Sequence, residues 1–382
     1  MSSADGLSPS PLLRRGACGD DVADLKVRLV ELGHLDPGAL ADDEFDDATA
    51  TGVRLFQQIR GLSVDGIVGP LTRQALQEAG WRLGERILDE VAGRPMRGDD
   101  VAALQHRLLQ LGFAVGRVDG SFGHVTARAL ADFQSNIGLP PDGCAGPATF
   151  KALARLSPMV ANGRADVLRD NERILVAGPR LTGKVLVIDP AHGGDDTGNT
   201  SNGLTEADLA FDLAGRVVER LAAHGAVAIQ TRSRNDCPSD RQRADLANDH
   251  GADLVLSLHF DAIPSPLGNG VASYFFGSGT HSVGSSVGER LADLINREIC
   301  MRTGMRNGRS HGKTWDILRF TAMPAVHTEL GYLSNNDDAA RLADAEVIDT
   351  MADALVVSIQ RLFLPPDLDF TTGRLQLDGL LT

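Results

Sequence analysis

The sequence predicts an α/β protein in which a domain with a mostly parallel sheet follows two small all-α three-helix modules. Two observations favour this fold class. One segment occurs twice between Arg15 and Leu153, and short apolar runs alternate with long helical stretches after Lys184. The length of 382 residues suits two or three domains, at roughly 150 residues each.

Composition indicates a folded protein and argues against some classes of partner. Hydrophobic residues make up 42% of the chain and charged residues 23%, which is typical of globular proteins. The 51 acidic and 37 basic residues give a net charge of -14. Such a charge argues against nonspecific binding to nucleic acid or to anionic lipid. No stretch approaches the roughly 20 apolar residues of a membrane helix, so we expect no membrane span.

The residues before Arg15 lack the pattern of a secretory signal. Leu12 and Leu13 are followed at once by two arginines, whereas a secretory signal has an apolar run of about 7–15 residues. We therefore expect a cytoplasmic protein, or a protein of the cell envelope if it is exported by another route.

The repeated segment predicts two copies of one helical module. The first copy runs from Arg15 to Leu76 and the second from Arg97 to Leu153. Apolar residues of the first copy recur at helical spacing, at Val22, Leu25, Leu29 and Leu32. Each copy predicts three short helices, and we assign residues 15–80 and 95–156 to the two modules.

Both copies resemble the peptidoglycan-binding domain found beside many cell-wall hydrolases. The match is close in VDGSFGHVTARALADFQ of the second copy, whereas the first copy has ADDEFDDATATGVRLFQ, in which acidic residues replace the DGxFG motif. The resemblance implies that the modules bind peptidoglycan. The alternative is that these glycines and phenylalanines only build two small helical bundles, because function does not follow from fold.

A linker at residues 157–183 leads to an α/β domain at residues 184–365. Val185–Ile188, Leu254–Leu258 and Ala325–Thr328 are apolar runs typical of buried parallel strands. Helical stretches separate these runs, at Ala207–His224, Asp240–His250 and Val283–Met301.

Polar residues follow each of the three strands, namely His192, His259 and Glu329. Binding sites in such sheets form at the carboxyl ends of the strands, so we expect these side chains to converge. Glu206 would join them from the first turn of a helix. We expect Thr205 to cap that helix, in a capping box with the acid three residues further on.

Two neutral imidazoles and one carboxylate form the ligand set of a catalytic zinc that keeps an open position for water. A second carboxylate, held off the metal, can take a proton from that water and pass it to the leaving amine. The residues therefore predict a zinc hydrolase.

Four segments resemble, in order and spacing, the zinc-dependent N-acetylmuramoyl-L-alanine amidases of the type 3 family. They are VLVIDPAHGGDDTG, TEADLAFDLAGRV, RADLANDHGADLVLSLHFDA and MPAVHTELGYLSN. The resemblance implies one Zn²⁺ per chain, with His192, Glu206 and His259 as its ligands and Glu329 as the catalytic residue. It implies hydrolysis of the amide between N-acetylmuramic acid and L-alanine in peptidoglycan or its soluble fragments. It also implies a twisted six-stranded sheet flanked by helices.

Alternatives stay open for the polar residues near these positions. His327 shares a strand face with Glu329, so it is a candidate to support the site, and a histidine hydrogen-bonded in the core is the alternative. Glu206 would also suit a helix N-terminus without any metal. We expect Asp195 and Asp196 to be solvated loop acids.

A second function stays open as well. The segments GVASYFFG and RTGMRNGRSHGKTWDILRFTAMPAV and the tail at residues 366–382 resemble the cytoplasmic CwlM-type regulators of actinobacteria. That resemblance implies binding and activation of an enzyme of peptidoglycan-precursor synthesis, under the control of a Ser/Thr kinase. Thr371 and Thr372 would then be candidate phosphorylation sites, with an ordinary polar terminus as the alternative.

Overall fold

The computed structural model describes residues 12–91, 95–156, 174, 178–263, 265, 268–278 and 283–364. These residues belong to two compact units, one amino-terminal and one carboxyl-terminal. Most of the predicted linker at 157–183 lies outside the described residues, as does the whole tail at 366–382 with Thr371 and Thr372. Within the described part of the chain, no helix combines the length and the apolar character needed to cross a membrane.

Each amino-terminal module contains three helices, as the repeat predicts. The first module consists of α1 (Asp20–Glu31), a 3₁₀ turn (Pro37–Ala41), α2 (Asp47–Arg60) and α3 (Pro70–Glu78). The second consists of β1 (Met96–Arg97), α4 (Asp99–Gln110), β2 (Ser121–Phe122), α5 (His124–Asn136) and α6 (Pro147–Arg155). Their apolar stripes are buried in small cores, with Leu29 and Phe56 fully buried in the first module and Leu104 and Phe133 in the second.

A buried glutamine holds each of three glycine turns in these modules. The pairs of glutamine and turn glycine are Gln57 with Gly66, Gln105 with Gly120 and Gln134 with Gly143. Each glutamine Oε1 accepts the glycine N–H at 2.8–2.9 Å, and each Nε2 lies 2.7–2.8 Å from the aspartate that precedes the glycine. The glycines have φ between 68° and 76°, a left-handed conformation that favours glycine.

The second copy contains two of these turns and the first copy contains one. In the first copy, the acidic segment stands at the position of the missing turn. Lys26 stands where Gln105 stands in the second copy, and it is fully buried. Its ammonium lies 2.6 Å from the carboxylate of Asp42, so an acid in this segment compensates a buried charge. The DG motifs therefore have a structural use that is independent of any ligand.

The carboxyl-terminal unit is built on one sheet of six main strands. These are β3 (Val185–Pro190), β6 (Val227–Gln230), β7 (Leu254–Asp261), β8 (Val271–Ser278), β10 (Asn307–Lys313) and β11 (Ala325–Tyr332). Their order is β10-β8-β11-β7-β3-β6, and only the β8–β11 pair is antiparallel. The short β9 (Val283–Gly284) pairs with β8, and β4 (Thr200–Ser201) pairs with β5 (Leu204–Thr205). The predicted α/β class with a mostly parallel six-stranded sheet is confirmed.

Helices cover this sheet. They are α7 (Glu206–Ala223), α8 (Asp240–Asp249), α9 (Ser286–Thr303), α10 (Asp316–Phe320), α11 (Asn336–Leu342) and α12 (Ala345–Phe363). The long helix α12 packs against both α7 and α9, and α8 packs on α10. The central strands β3, β7 and β11 are almost continuously buried, as their apolar runs predict.

Two strands run further than the sequence predicted. β7 continues to Asp261 and β11 to Tyr332, so His259 and Glu329 lie inside their strands rather than just beyond them. The apolar runs placed the predicted ends of both strands too early in the sequence, because a strand can continue through polar residues whose side chains face a cleft. The helix predicted from Val283 begins at Ser286, since the two preceding residues of β9 pair with β8.

Candidate metal centre

His192 lies two residues beyond β3, in a turn with unusual backbone geometry. Its φ of 55° is left-handed, which is uncommon for a residue other than glycine. Arg243 Nη2 donates to the carbonyl oxygen of His192 at 2.8 Å. A Cβ on the following Gly193 would lie 2.3 Å from the carbonyl oxygen of Asp236. The turn therefore depends on a glycine and a buried arginine.

Glu206 begins α7 and is 1% exposed. The predicted capping box is wrong: Thr205 holds the N-cap position but makes no side-chain capping hydrogen bond. The first amide groups of α7 instead donate to loop carbonyl groups, as Glu206 N does to Asn199 O at 2.9 Å and Ala207 N to Thr197 O at 3.2 Å. The loop before α7 thus satisfies these donors and fixes the position of the carboxylate.

Several donors converge on the Glu206 carboxylate. Oε2 accepts from the backbone N and from Nδ2 of Asn199, both at 2.9 Å, and Oε1 accepts from Phe260 N at 3.2 Å. Burial acts to raise the pKa of Glu206, but hydrogen bonds with His192 and His259 hold it well below its ordinary value. This carboxylate is therefore ionised at neutral pH.

Hydrogen bonds to neighbouring residues select one ring nitrogen of each histidine. Ser257 Oγ donates to Asp189 Oδ2 at 2.6 Å, so it can accept from His259 Nε2 at 3.2 Å. When an ion replaces the contact of His259 Nδ1 with Glu206, this bond keeps the single proton of the neutral ring on Nε2 and makes Nδ1 the ligand atom. In the neutral ring of His192, Nδ1 donates to Asp196 Oδ2 at 2.7 Å and leaves Nε2 unprotonated. Such partners commonly fix the tautomer of metal-binding histidines.

The selected nitrogens both face Glu206. His192 Nε2 lies 3.1 Å from Glu206 Oε2, and His259 Nδ1 lies 3.1 Å from Oε1. Ligand atoms of the three residues all lie within 4.8 Å of one another. The hydrogen bond with Glu206 raises the pKa of His192 to about 9, so a cation must displace a proton there. Two imidazoles and one carboxylate with these orientations fit a zinc ion.

A buried ion pair supports the floor of this site. Arg243 Nη1 lies 2.6 Å from Asp189 Oδ1, and both side chains are at most 5% exposed. Arg243 also donates to the carbonyl oxygens of Pro190 and Pro238, each at 2.8 Å. Because Asp189 holds Ser257 and Ser257 holds His259, this pair connects the core to a candidate ligand.

Glu329 and His327 lie beside His259 on the same face of the sheet. In the parallel pairing of β7 and β11, Glu329 is opposite His259 and His327 is opposite Ser257. The rings of His259 and His327 stack with centroids 3.8 Å apart. His327 Nε2 lies 3.0 Å from Glu329 Oε1. The other oxygen, Glu329 Oε2, is buried and has no hydrogen-bond partner among the described residues.

Burial moves the pKa values of these two groups in opposite directions. It raises the pKa of Glu329 to about 8 and lowers that of His327 to about 4, because burial disfavours the charged form of each group. The rings of Trp315 and Tyr274 lie around His327, with centroid distances of 4.6 and 5.8 Å. His327 is therefore a neutral imidazole in aromatic surroundings at neutral pH.

Comparison with known proteins identifies the family of this chain. Residues 186–361 match the family described as N-acetylmuramoyl-L-alanine amidase, and residues 18–76 and 97–153 match a peptidoglycan binding domain. The N-acetylmuramoyl-L-alanine amidase CwlM of Mycobacterium tuberculosis is 43% identical over 391 residues, which cover 98% of this chain and 96% of that protein. The chain belongs to the N-acetylmuramoyl-L-alanine amidase family.

Two further similarities cover just under half of this chain. The amidase LytC of Bacillus subtilis is 32% identical over 175 residues, which cover 46% of this chain and 34% of LytC. The solved structure of the amidase AmiC2 of Nostoc punctiforme is 28% identical with a TM-score of 0.43, and the match covers 47% of this chain and 96% of that one.

The structure brings the predicted site residues of this amidase together. His192, Glu206 and His259 form one group and His327 lies against Glu329 at its edge. Asp196 is exposed, as expected of a solvated loop acid, and it also contacts His192, which the sequence did not indicate.

Two supporting residues of the site, Asn199 and Ser257, were not predicted from the sequence. Only the fold places them beside Glu206 and His259, so no local pattern could have identified them.

Proposed function

We propose that this amidase hydrolyses the amide bond between the lactyl group of N-acetylmuramic acid and L-alanine, with one Zn²⁺ held by His192, Glu206 and His259. The observation that carries the proposal is the convergence of three ligand atoms within 4.8 Å, with Asp196 and Ser257 selecting the ring nitrogens. When bound, zinc lowers the pKa of a water molecule toward about 7 and polarises the substrate carbonyl group.

Glu329 is the general base and then the general acid in this proposal. Its Oε2 is buried and has no partner among the described residues, so it can take a proton from the attacking water and deliver it to the leaving amine nitrogen. A pKa raised to about 8 by burial suits a group that must both accept and release a proton near neutral pH. The contact of His327 with Oε1 holds the carboxyl group in position while Oε2 reacts.

The test is to measure metal content and hydrolysis on the purified protein. We expect about one zinc per chain and release of a peptide with a free L-alanine amine from a muramyl peptide. Glu329→Gln should keep the zinc and lose at least about 100-fold in kcat, since general acid–base catalysis contributes roughly 10²–10⁴-fold. Glu219→Gln, an exposed glutamate on α7, is the matched control and should hydrolyse as the wild type does.

Two results would contradict the proposal. One is a wild-type protein that holds zinc and releases no peptide from any muramyl peptide. The other is a Glu329→Gln variant with full activity, which would assign proton transfer to a different group.

The amino-terminal modules hold the enzyme on peptidoglycan in this proposal. A cavity of about 1060 Å³ in the amino-terminal unit is lined by Trp81 and Arg86, among others. The Arg86 guanidinium lies 4.5 Å from the centre of the indole ring, and Trp81 is 39% exposed, so the ring can also contact a sugar. Trp81→Ala should reduce sedimentation with insoluble peptidoglycan, whereas the exposed Leu55→Ala, which does not line the cavity, should not.

The regulatory alternative stays a prediction. It requires a cytoplasmic compartment, a partner in peptidoglycan-precursor synthesis and a kinase acting on the protein. Capture of such an enzyme from cytosol by the purified protein, combined with no hydrolysis of muramyl peptides, would favour it over the proposal made here.

A further inference from the structure

An aromatic cluster extends across the sheet from His327 toward the β10 edge. The rings of His327, Tyr274 and Trp315 lie 4.6–5.8 Å apart between their centres. Tyr274 on β8 pairs directly with His327 on β11, and the side chains of directly paired residues lie on the same face of a sheet. The cluster therefore shares the face that carries Glu329.

This cluster lies on the side of Glu329 away from the proposed zinc ligands. In the sheet, β8 and β10 follow β11 on one side, whereas β7 and β3 lie on the other. Burial and then the charge of Glu329 raise the pKa of Tyr274, so the two side chains are near enough to interact. In the proposed reaction the scissile carbonyl group faces the zinc ligands and the leaving amine faces Glu329. A substrate extended in that direction carries its peptide half over β8 and β10.

Lys313, the last residue of β10, brings a positive charge to the cluster. Its Nζ lies 5.9 Å from the ring centre of Tyr274 and 5.8 Å from that of Trp315, within the roughly 6 Å of a cation–π contact. The two rings hold the ammonium group in place, and burial lowers its pKa. Because the effective dielectric constant is lower in such surroundings than in water, the ammonium group attracts a carboxylate more strongly there.

We propose that Lys313 is a subsite for a carboxylate in the peptide half of the substrate, with Trp315 and Tyr274 as its walls. The identity of this ligand rests on the proposed function. The lactyl carboxyl group of N-acetylmuramic acid is consumed in the scissile amide, so the sugar half offers no carboxylate, whereas a peptide ends in one. A positive charge at this place therefore selects an acidic peptide.

The reach of the subsite follows from the ring contacts. The ring centre of Trp315 lies 4.6 Å from that of His327 and 5.8 Å from Lys313 Nζ. An extended peptide spans about 3.3–3.6 Å per residue, so about three residues cover these two steps. We expect the recognised carboxylate on the third residue, counted from L-alanine.

The first test compares hydrolysis of N-acetylmuramyl-L-alanyl-glycyl-glycine with that of its carboxyl-terminal amide. We expect the wild type to prefer the free acid about 10–100-fold in kcat/KM, or about 1.4–2.8 kcal/mol, since a hydrogen bond between two charged groups is strong. Lys313→Met should bring the ratio of acid to amide to about one, and Lys313→Arg should keep most of it. The matched control is Arg306→Met, which removes an exposed cation just before β10 and should keep the wild-type ratio.

The second test measures binding without hydrolysis. The chain contains two tryptophans, so in a Trp81→Phe background the tryptophan fluorescence reports on Trp315 alone. Titration with the product peptide L-alanyl-glycyl-glycine should change this fluorescence, with a Kd at least about 10-fold lower than that of its carboxyl-terminal amide. Adding Lys313→Met should remove the difference between acid and amide.

The two tests separate the subsite from the proposed function. Equal kcat/KM of the wild type for acid and amide, or an unchanged ratio in Lys313→Met, would overturn the subsite and leave the hydrolysis intact. Preferential binding of the acid without hydrolysis of either muramyl peptide would overturn the proposed function alone. Equal binding of both peptides, or no binding, would overturn the subsite. The wild-type comparisons need no variant at Lys313, and Lys313→Gln replaces Lys313→Met if that variant folds poorly by circular dichroism.

Discussion

Replacement of Gly198 by alanine tests the geometry of the metal centre most directly. This glycine has a φ of 63°, and a Cβ built on it would lie 2.4 Å from His192 Cδ2 and 2.7 Å from Glu206 Oε2. Both neighbours are candidate ligands. The substitution therefore adds one methyl group at the point where the loop passes against the site.

The size of the effect follows from these distances. To restore a contact of 3.4 Å, the lower end of the ordinary range, the His192 ring must withdraw by about 1 Å from its present 2.4 Å. Zinc–ligand distances tolerate only about 0.2 Å, so this movement removes His192 as a ligand. We expect zinc affinity to fall at least about 100-fold, or about 2.8 kcal/mol at 1.4 kcal/mol per tenfold.

Gly203→Ala separates this effect from the strain of the backbone. Gly203 has a φ of 76° and no atom within 4 Å of a Cβ built on it. In both variants alanine must adopt a left-handed backbone conformation, which costs about 1–2 kcal/mol of folding free energy. Part of this cost is offset because alanine lowers the conformational entropy of the unfolded chain. Their apo forms should melt a few degrees below the wild type, while only Gly198→Ala loses zinc binding in a chelator competition assay.

Wild-type zinc affinity in Gly198→Ala would refute the predicted clash, because the ring would then have room that the structure does not show. An equal loss of affinity in both alanine variants would refute it as well. That result would assign the loss to the backbone of the loop rather than to the contact with His192.

Three further predictions concern residues that support the site and the modules. Asp196→Asn should weaken zinc binding about 10–100-fold in the same competition assay, whereas Asp195→Asn on the same loop should not. Arg243→Met should lower the free energy of unfolding in urea by about 3–5 kcal/mol, because Asp189 stays buried without its partner. Gln134→Ala removes four contacts made at 2.7–3.2 Å. Nε2 carries two hydrogens, so these contacts amount to three hydrogen bonds at a time. At about 0.5–1.5 kcal/mol per hydrogen bond the substitution should destabilise the amino-terminal unit by about 1.5–4.5 kcal/mol and leave zinc content unchanged.

The sequence predicted the sheet because its central strands are buried on both faces. A strand covered by helices on both sides is apolar at every position, so β3, β7 and the start of β11 are visible as continuous runs. The ends of β7 and β11 were not visible, since His259 and Glu329 interrupt the apolar pattern while their backbones remain paired. Short β9 carried no apolar signal and was predicted as part of a helix.

The candidate ligands were predictable and their partners were not. His192 and His259 stand near strand ends, where the topology of a parallel sheet brings distant segments together. Asp196 supports His192 only because the chain between them forms a tight turn. Ser257 supports His259 through Asp189 of another strand. Contacts of this kind depend on how the strands and loops pair in three dimensions, and the spacing of residues along the sequence does not reveal that pairing.

The two glutamates of the site show how surroundings divide one residue type between two tasks. Glu206 accepts hydrogen bonds from two backbone amides and one side-chain amide and faces both ring nitrogens, which hold its pKa low despite burial. Among the described residues Glu329 has one hydrogen-bond partner, His327, and burial raises its pKa to about 8. A carboxylate that stays ionised suits metal binding, and a carboxyl group that exchanges its proton near neutral pH suits acid–base chemistry. The number of donors around each glutamate therefore distinguishes the proposed ligand from the proposed catalyst.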